Sequence, residues 1–280
     1  MRTLLEPFQY EFFRNGVVVA TLAGALCGMV GVFVVLRGMS YIGHGLSHAI
    51  FGGAVASYVL SVNFYLGAGV WGFASALLIG GVARRRSIGA DAAIGVVTTA
   101  SFAVGLALIS RYRSFTRNFE AALFGNVLGV TTTDVVVVAV VTILTAVIIF
   151  FAYRPLLFTT FDRDVADVFG VRSGRMDALL SFVLAASILA TMQILGVTLV
   201  AAALVVPAVV ARMLTNSFPR MLLLSTLVGA VSGLVGMNLS YHLDLSAGAT
   251  IVLTSSALFA LVFVVTGSRG LRRAAGLDAA

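Results

Sequence analysis

Apolar residues run in long blocks along this chain, and polar residues collect in the short gaps between them. Nine blocks read as membrane-crossing helices: 15–36, 42–62, 66–83, 91–110, 134–153, 177–195, 196–214, 220–242 and 246–266. A spanning helix needs about 20 predominantly apolar residues, and in lipid every backbone polar group must be satisfied within the segment. The pattern predicts an all-α, polytopic integral membrane helix bundle. It forms a single domain over 1–280, with an interfacial lead-in at 1–14 and a tail at 268–280. The number of helices turns on the middle of the chain. Residues 179–211 contain no charged side chain, which is long for one pass and short for two. One pass gives eight helices and two passes give nine.

Charge favours nine. Apolar residues make up 60% of the 280 and charged residues 10%, against about 25% charged in an ordinary soluble domain. The net charge is +7, and all 18 basic residues are arginine. They fall in the gaps between apolar blocks, so they are read as the positive-inside signal and not as a nucleic-acid surface. Arg37, the arginines at 84–86, Arg154, Arg163, Arg172 and Arg175 then share the cytoplasmic side. Two passes between 177 and 214 bring Arg212, Arg269, Arg272 and Arg273 to that side too, with the N-terminus outside. Arg111, Arg113 and Arg117 fall outside in this scheme, against the rule. The first residues lack the features of a cleavable signal. The lone cysteine, Cys27, excludes an internal disulfide and a cysteine-cluster metal site. Without lysine there is no GxxxxGK[ST] phosphate loop, so the chain is expected to be no enzyme and to carry no nucleotide site.

Few ionisable residues lie inside the apolar blocks, and such residues are functional candidates because lipid makes them costly. His44 and His48 stand out, in GHGLSHAIFGG at 43–53. Four residues apart on a helix, they share one face, with Ser47 beside them. Two imidazoles there supply half of a divalent-metal site; the bland alternative is a pair of histidines bonding backbone at a helix crossing. His242 and Asp244, in GMNLSYHLDLSAGA at 236–249, lie at the outer end of a predicted helix. Asp244 is a further candidate ligand, with a solvated loop as the plainer reading. Asp91 opens a helix, where a carboxylate caps free amides. Pro207 interrupts an apolar helix and is a candidate kink on a transport path. Glycines recur at helical spacing, at Gly24, Gly28, Gly31 and at Gly229, Gly233, Gly236, and fit close helix packing. The polar stretch 159–177 holds cap-type residues at Thr160 and Asp162, an apolar face at Ala166 and Phe169, and a helix stop at Gly170. It predicts a short cytoplasmic helix over 161–171, suited to a soluble partner.

These stretches together resemble the permease subunits of zinc/manganese/iron ABC importers. The likeness runs from about Phe12 to Thr266. It is carried by GVFVVLRGMSYIGHGLSHAIFGG at 31–53, DAAIGVVTTASFAVGLAL at 91–108, LFGNVLGV at 123–130, FDRDVADVFGV at 161–171, GVTLVAAALVVPAVVARML at 196–214 and LSYHLDLSAGATIVL at 239–253. The resemblance implies a cytoplasmic-membrane permease that takes a transported zinc, manganese or iron ion and holds no permanent cofactor. It implies separate ABC ATPase subunits, an extracytoplasmic metal-binding protein and a second permease, most simply an identical copy. It implies a metal pathway at His44 and His48. It also implies a coupling helix that contacts the ATPase through Phe161, Asp162, Asp164, Ala166 and Gly170. Many family members carry Asp at the position of His44, and that departure tilts the expected cargo toward zinc. The alternatives are a vitamin or siderophore ABC permease, an ion-gradient-driven metal transporter, and a haem protein. Mid-membrane carboxylates expected of a gradient-driven carrier are absent from the apolar blocks. Two histidines on one helix face cannot easily flank one haem.

Overall fold

The structure, a computed structural model, describes residues 6–83, 90–112, 123–125 and 129–274. Among these there are eleven α-helices and no strand. They are α1 (Glu11–Leu36), α2 (Ser40–Val59), α3 (Phe64–Ala83), α4 (Ala90–Tyr112), α5 (Thr132–Phe151), α6 (Tyr153–Phe161), α7 (Arg163–Val168), α8 (Ser173–Leu195), α9 (Val200–Leu214), α10 (Phe218–Leu243) and α11 (Ala247–Ala274). A single 3-10 turn, Glu6–Gln9, precedes α1.

Helix α1 is the axis of the bundle. Its sequence is apolar on all sides, and a helix of that kind is stable only when surrounded. Helices α10, α9, α5 and α8 pack around it, and most of it is buried from Phe13 to Val35. Small residues make the approach possible. A Cβ on Gly24 would collide with the backbone carbonyl of Gly229, one on Gly28 with that of Ser225, and one on Gly31 with that of Leu204. The expected glycine contacts are therefore real backbone-to-backbone seams, and Ser225 Oγ adds a 2.5 Å hydrogen bond to the Gly28 carbonyl. Helices α2, α3 and α4 form a second group, joined to the axis through α8 and α9.

Each of the nine apolar blocks finds a helix. By length and composition seven described helices can cross a membrane: α1, α3, α4, α5, α8, α10 and α11. Helix α2 has 20 residues, yet Ser40, His44, Ser47 and His48 dilute its apolarity. Helix α9 is apolar but has only 15 residues, about 22 Å at 1.5 Å per residue, short of a hydrocarbon core of about 30 Å. The division of 177–214 into two helices holds, with the interruption at 196–199. Gly196 adopts φ 79° and ψ 154°, a conformation open to glycine alone. Its neighbour across the break is Gly125, φ 81°, close against the Ile194 carbonyl.

The freed backbone at the break is satisfied by protein. Ser47 Oγ lies 2.8 Å from the Val197 carbonyl, and Thr198 donates its N–H (3.3 Å) and its hydroxyl (2.8 Å) to the Leu123 carbonyl. At the end of the bundle away from α7, Asp134 receives the Tyr65 hydroxyl and caps α5 through Thr131. Gln193 Nε2 donates to Tyr65 at 3.4 Å, so α3, α5 and α8 are tied there. The lead-in is shorter than expected, since α1 begins at Glu11, and α11 continues to Ala274, into the expected tail. The arginines at 84–86, Arg113 and Arg117 lie outside the described residues, as do the side chains of Asp91, Arg269, Arg272 and Arg273. Arg111 is exposed at the end of α4, 5.7 Å from the Tyr112 ring centroid.

The α1–α10 seam makes a testable claim. Gly24→Ala is expected to cost about 1–3 kcal/mol through overpacking, read as a lowered thermal unfolding midpoint in detergent. Gly267→Ala, where an added Cβ meets nothing within 4 Å, is expected to leave the midpoint in place.

Candidate metal centre and coupling loop

The two predicted histidines meet. Helix α2 carries His44 and His48 one turn apart, and their ring centroids are 4.6 Å apart with planes at 78°. The rings meet edge to face, and each neutral imidazole carries one nitrogen lone pair in its ring plane, available to a metal ion. Both side chains are half-buried. They line a cleft of about 270 Å³ with Tyr41, Gly45, Thr98 and Phe102. The aromatic ring of Phe102 packs on His48 at 4.9 Å and that of Tyr41 on His44 at 5.7 Å. Glycine at position 45 lets α4 come close, with Ile94 and Thr98 against it. His48 Nδ1 is buried and has no hydrogen-bond partner, contrary to the bland reading of a histidine bonded to backbone. Ser47 bonds backbone instead: its hydroxyl lies 2.8 Å from both the His44 and Val197 carbonyls. The pair thus sits beside the broken run at 196–199.

Asp244 is not brought to this pair. It is exposed, and it ends α10 in the left-handed region at φ 53°, which aspartate tolerates better than most residues. His242 is exposed in the last turn of the same helix. Among the described residues no three His, Cys, Asp or Glu side chains form a metal-holding group. Pro207 is buried within α9, which runs unbroken through it; the interruption of the apolar run falls at 196–199 instead.

The predicted short helix is α7, six residues long. Asp162 caps it, accepting the Val165 N–H at 3.0 Å, whereas Thr160 belongs to α6 and bonds the Leu156 carbonyl at 2.6 Å. Ala166 is fully buried beneath α7. Gly170 turns the chain at φ 77°, which lets the Val171 N–H reach the Ala166 carbonyl at 2.9 Å. Asp164 is exposed. The outward face offers Phe161, Val168 and Phe169, all strongly exposed. Phe169, expected on one apolar face with Ala166, is exposed while Ala166 is buried, and it stacks on Phe158 at 5.9 Å.

Behind α7 lies a charge cluster. Arg37 Nη1 meets Asp177 Oδ1 at 2.7 Å, and Arg163 Nη2 meets Asp177 Oδ2 at 3.4 Å. Arg37 also donates to Thr159 Oγ1 at 3.0 Å and to Thr160 Oγ1 at 3.3 Å. Burial lowers the Arg37 pKa, and the hydrogen bond and charge of Asp177 act against that; an arginine there remains charged.

The sequence profile of the ABC 3 transport family matches residues 9–266. The chain belongs to that family. The manganese transport system membrane protein MntC of Halalkalibacterium halodurans is 37% identical over 266 residues, 95% of this chain and 91% of its own length. The manganese import system permease protein ScaB of Streptococcus parasanguinis is 36% identical over 257 residues, 92% of this chain and 91% of its own. Among solved structures, PsaBC from Streptococcus pneumoniae in complex with Fab superposes with a TM-score of 0.85 at 32% identity, covering 93% of this chain and 94% of that one. This ABC 3 chain is thus a multi-pass membrane permease.

Sequence reading did not single out the Arg37–Asp177–Arg163 cluster of this permease. Its signal was present, an arginine directly after one apolar block and an aspartate at the start of another, but their pairing spans 140 residues. Removing one partner of a buried ion pair leaves an uncompensated charge. Asp177→Ala is expected to cost about 3–5 kcal/mol, checked as loss of folded protein in detergent and a lowered unfolding midpoint.

Proposed function

We propose that this permease is the membrane subunit of an ATP-binding-cassette importer that moves a divalent transition-metal ion across the cytoplasmic membrane by alternating access. The observation that carries the reading is the buried, unpartnered Nδ1 of His48 beside His44 in an open cleft. A buried polar atom without a partner is costly, and a passing cation relieves that cost. Two imidazoles make half of a four-ligand set. A second copy of the permease, meeting this one at the cleft, supplies the remainder. An extracytoplasmic binding protein delivers the ion, the histidines replace part of its water shell, and their small number lets the ion leave. ATP is hydrolysed by separate ATPase subunits, which grip α7 through Phe161, Asp162, Asp164 and the turn at Gly170, with buried Ala166 anchoring that helix from behind. The α7 end of the bundle is cytoplasmic in this reading.

Manganese is the first reading of the cargo, because most of the relatives that match nearly the whole chain carry that metal in their names, MntC and ScaB among them, while one is named for iron. Zinc is the second, favoured by one specific observation: both side chains of the pair are imidazoles, and imidazole suits zinc while carboxylate suits manganese. Uptake of radiolabelled manganese and zinc, with the partner ATPase present, decides between them.

His48→Ala is expected to abolish metal uptake while the amount of protein in the membrane stays the same; normal uptake by that variant sinks the site. His44→Asp is expected to shift competition between the two metals toward manganese. Asp162→Ala removes the cap of α7, worth about 1 kcal/mol, and is expected to reduce the metal-dependent stimulation of ATP hydrolysis in the assembled transporter. Undiminished stimulation argues against the coupling role.

A further inference from the structure

We infer that Asp177 is a positioning residue that passes movement of α7 to the turn between α1 and α2, and so to the His44–His48 cleft. The inference rests on the coupling role proposed above for α7. One carboxylate here serves two guanidiniums from different elements. Its Oδ1 holds Arg37, the residue that ends α1, and its Oδ2 holds Arg163, the first residue of α7.

The two arms differ in strength. The inner arm is 2.7 Å long, its side chains are 5% and 17% exposed, and Arg37 is held further by Thr159 and Thr160. The outer arm is 3.4 Å long, and the Arg163 side chain is 55% exposed. Water and salt weaken an exposed pair, whereas a buried, charge-assisted and multiply bonded one stays closed. When a partner displaces α7, the outer arm opens first. Asp177 then answers to Arg37 alone, and the grip on the α1–α2 turn changes.

That turn has room to respond. Gly38 adopts φ 66° with open space around it, and α2 starts two residues later at Ser40, little more than a turn before His44. A cavity of about 300 Å³ lies between the charge cluster and this start of α2, bordered by Arg37, Met39, Ile42, Ile94, Arg163 and Asp177. A packed core resists displacement because its side chains interlock. Here the first turn of α2 borders free volume on one side, Ile42 is buried in the core on the other, and Arg37 ties the turn to the charge cluster. One link from α7 toward the metal ligands therefore passes through this shared carboxylate.

The test uses the full permease reconstituted in liposomes with its ATPase and binding protein. Two quantities are read: metal ions moved per ATP hydrolysed, and the ATP-dependent change in mobility of a spin label at exposed Ser40 (Ser40→Cys; Cys27 is buried). Arg163→Ala is expected to lower the metal-to-ATP ratio about fivefold and to remove the label's response. Arg163→Lys, which keeps the charge, is expected to restore both. Because Arg163 is exposed, an unchanged unfolding midpoint confirms that the variant is folded. A normal ratio in Arg163→Ala overturns the inference. So does a reduced ratio with an unchanged label response, which makes the cluster a purely structural clamp. If the unaltered complex moves no metal with ATP, the transporter reading itself fails, and the inference falls with it.

Discussion

Backbone contact between α1 and its neighbours sets the frame for everything else in the molecule. At Gly24 and Gly229, and at Gly28 and Ser225, the backbones of α1 and α10 touch without side chains between them. In lipid there is little hydrophobic gain from pressing helices together, because the tails are as apolar as the side chains. Dispersion over a close seam and the occasional interhelical bond, such as Ser225 to Gly28, have to supply the attraction. The α1–α10 seam, with α9 joined at Gly31, fixes α1 as a buried post. The end of that post is Arg37, so the position of the charge cluster and of the turn into α2 follows from the seam.

A buried post also determines where irregular backbone can exist. Unwound chain at membrane depth is tolerated only where protein or water satisfies it. The break at 196–199 meets that condition through Ser47 and Leu123, whose groups pair with Val197 and Thr198. Helix α9 can be short for the same reason: α1, α10 and α11 surround it. Helix α2 can be polar because α3, α4, α8 and α9 cover much of it. The candidate metal ligands thus lie on the least lipid-like of the long helices, next to the interruption, where polar groups are least costly.

Helix α7 illustrates the opposite regime. Six residues are too few to hold a helix alone, since nucleation is unfavourable and little propagation follows it. Its position comes from its borders: the Asp162 cap, the buried Ala166, the turn at Gly170, and Asp167, which accepts both the N–H and the hydroxyl of Ser173 at 3.2 Å. An element placed by its edges moves as a unit when pushed. The ion pairs of Asp177 connect that unit to the axis of the bundle.

The sequence by itself determined the class of fold, the nine apolar segments and the short helix near 161–171. These rest on local length, period and capping, which neighbouring residues report. It also placed His44 and His48 on one face, because four residues make a helical turn. The tertiary structure decided what depends on distant partners. It showed that α9 has only 15 residues, that the run breaks at Gly196 where Gly125 comes against it, and that Asp244 stands apart from the histidines. It left Pro207 inside an unbroken helix and turned Phe169 outward. It joined Arg37 to Asp177 across 140 residues. The reason is physical: hydropathy is a property of each segment, whereas the pairing of a buried charge or an unwound carbonyl is a property of whichever segment packs against it.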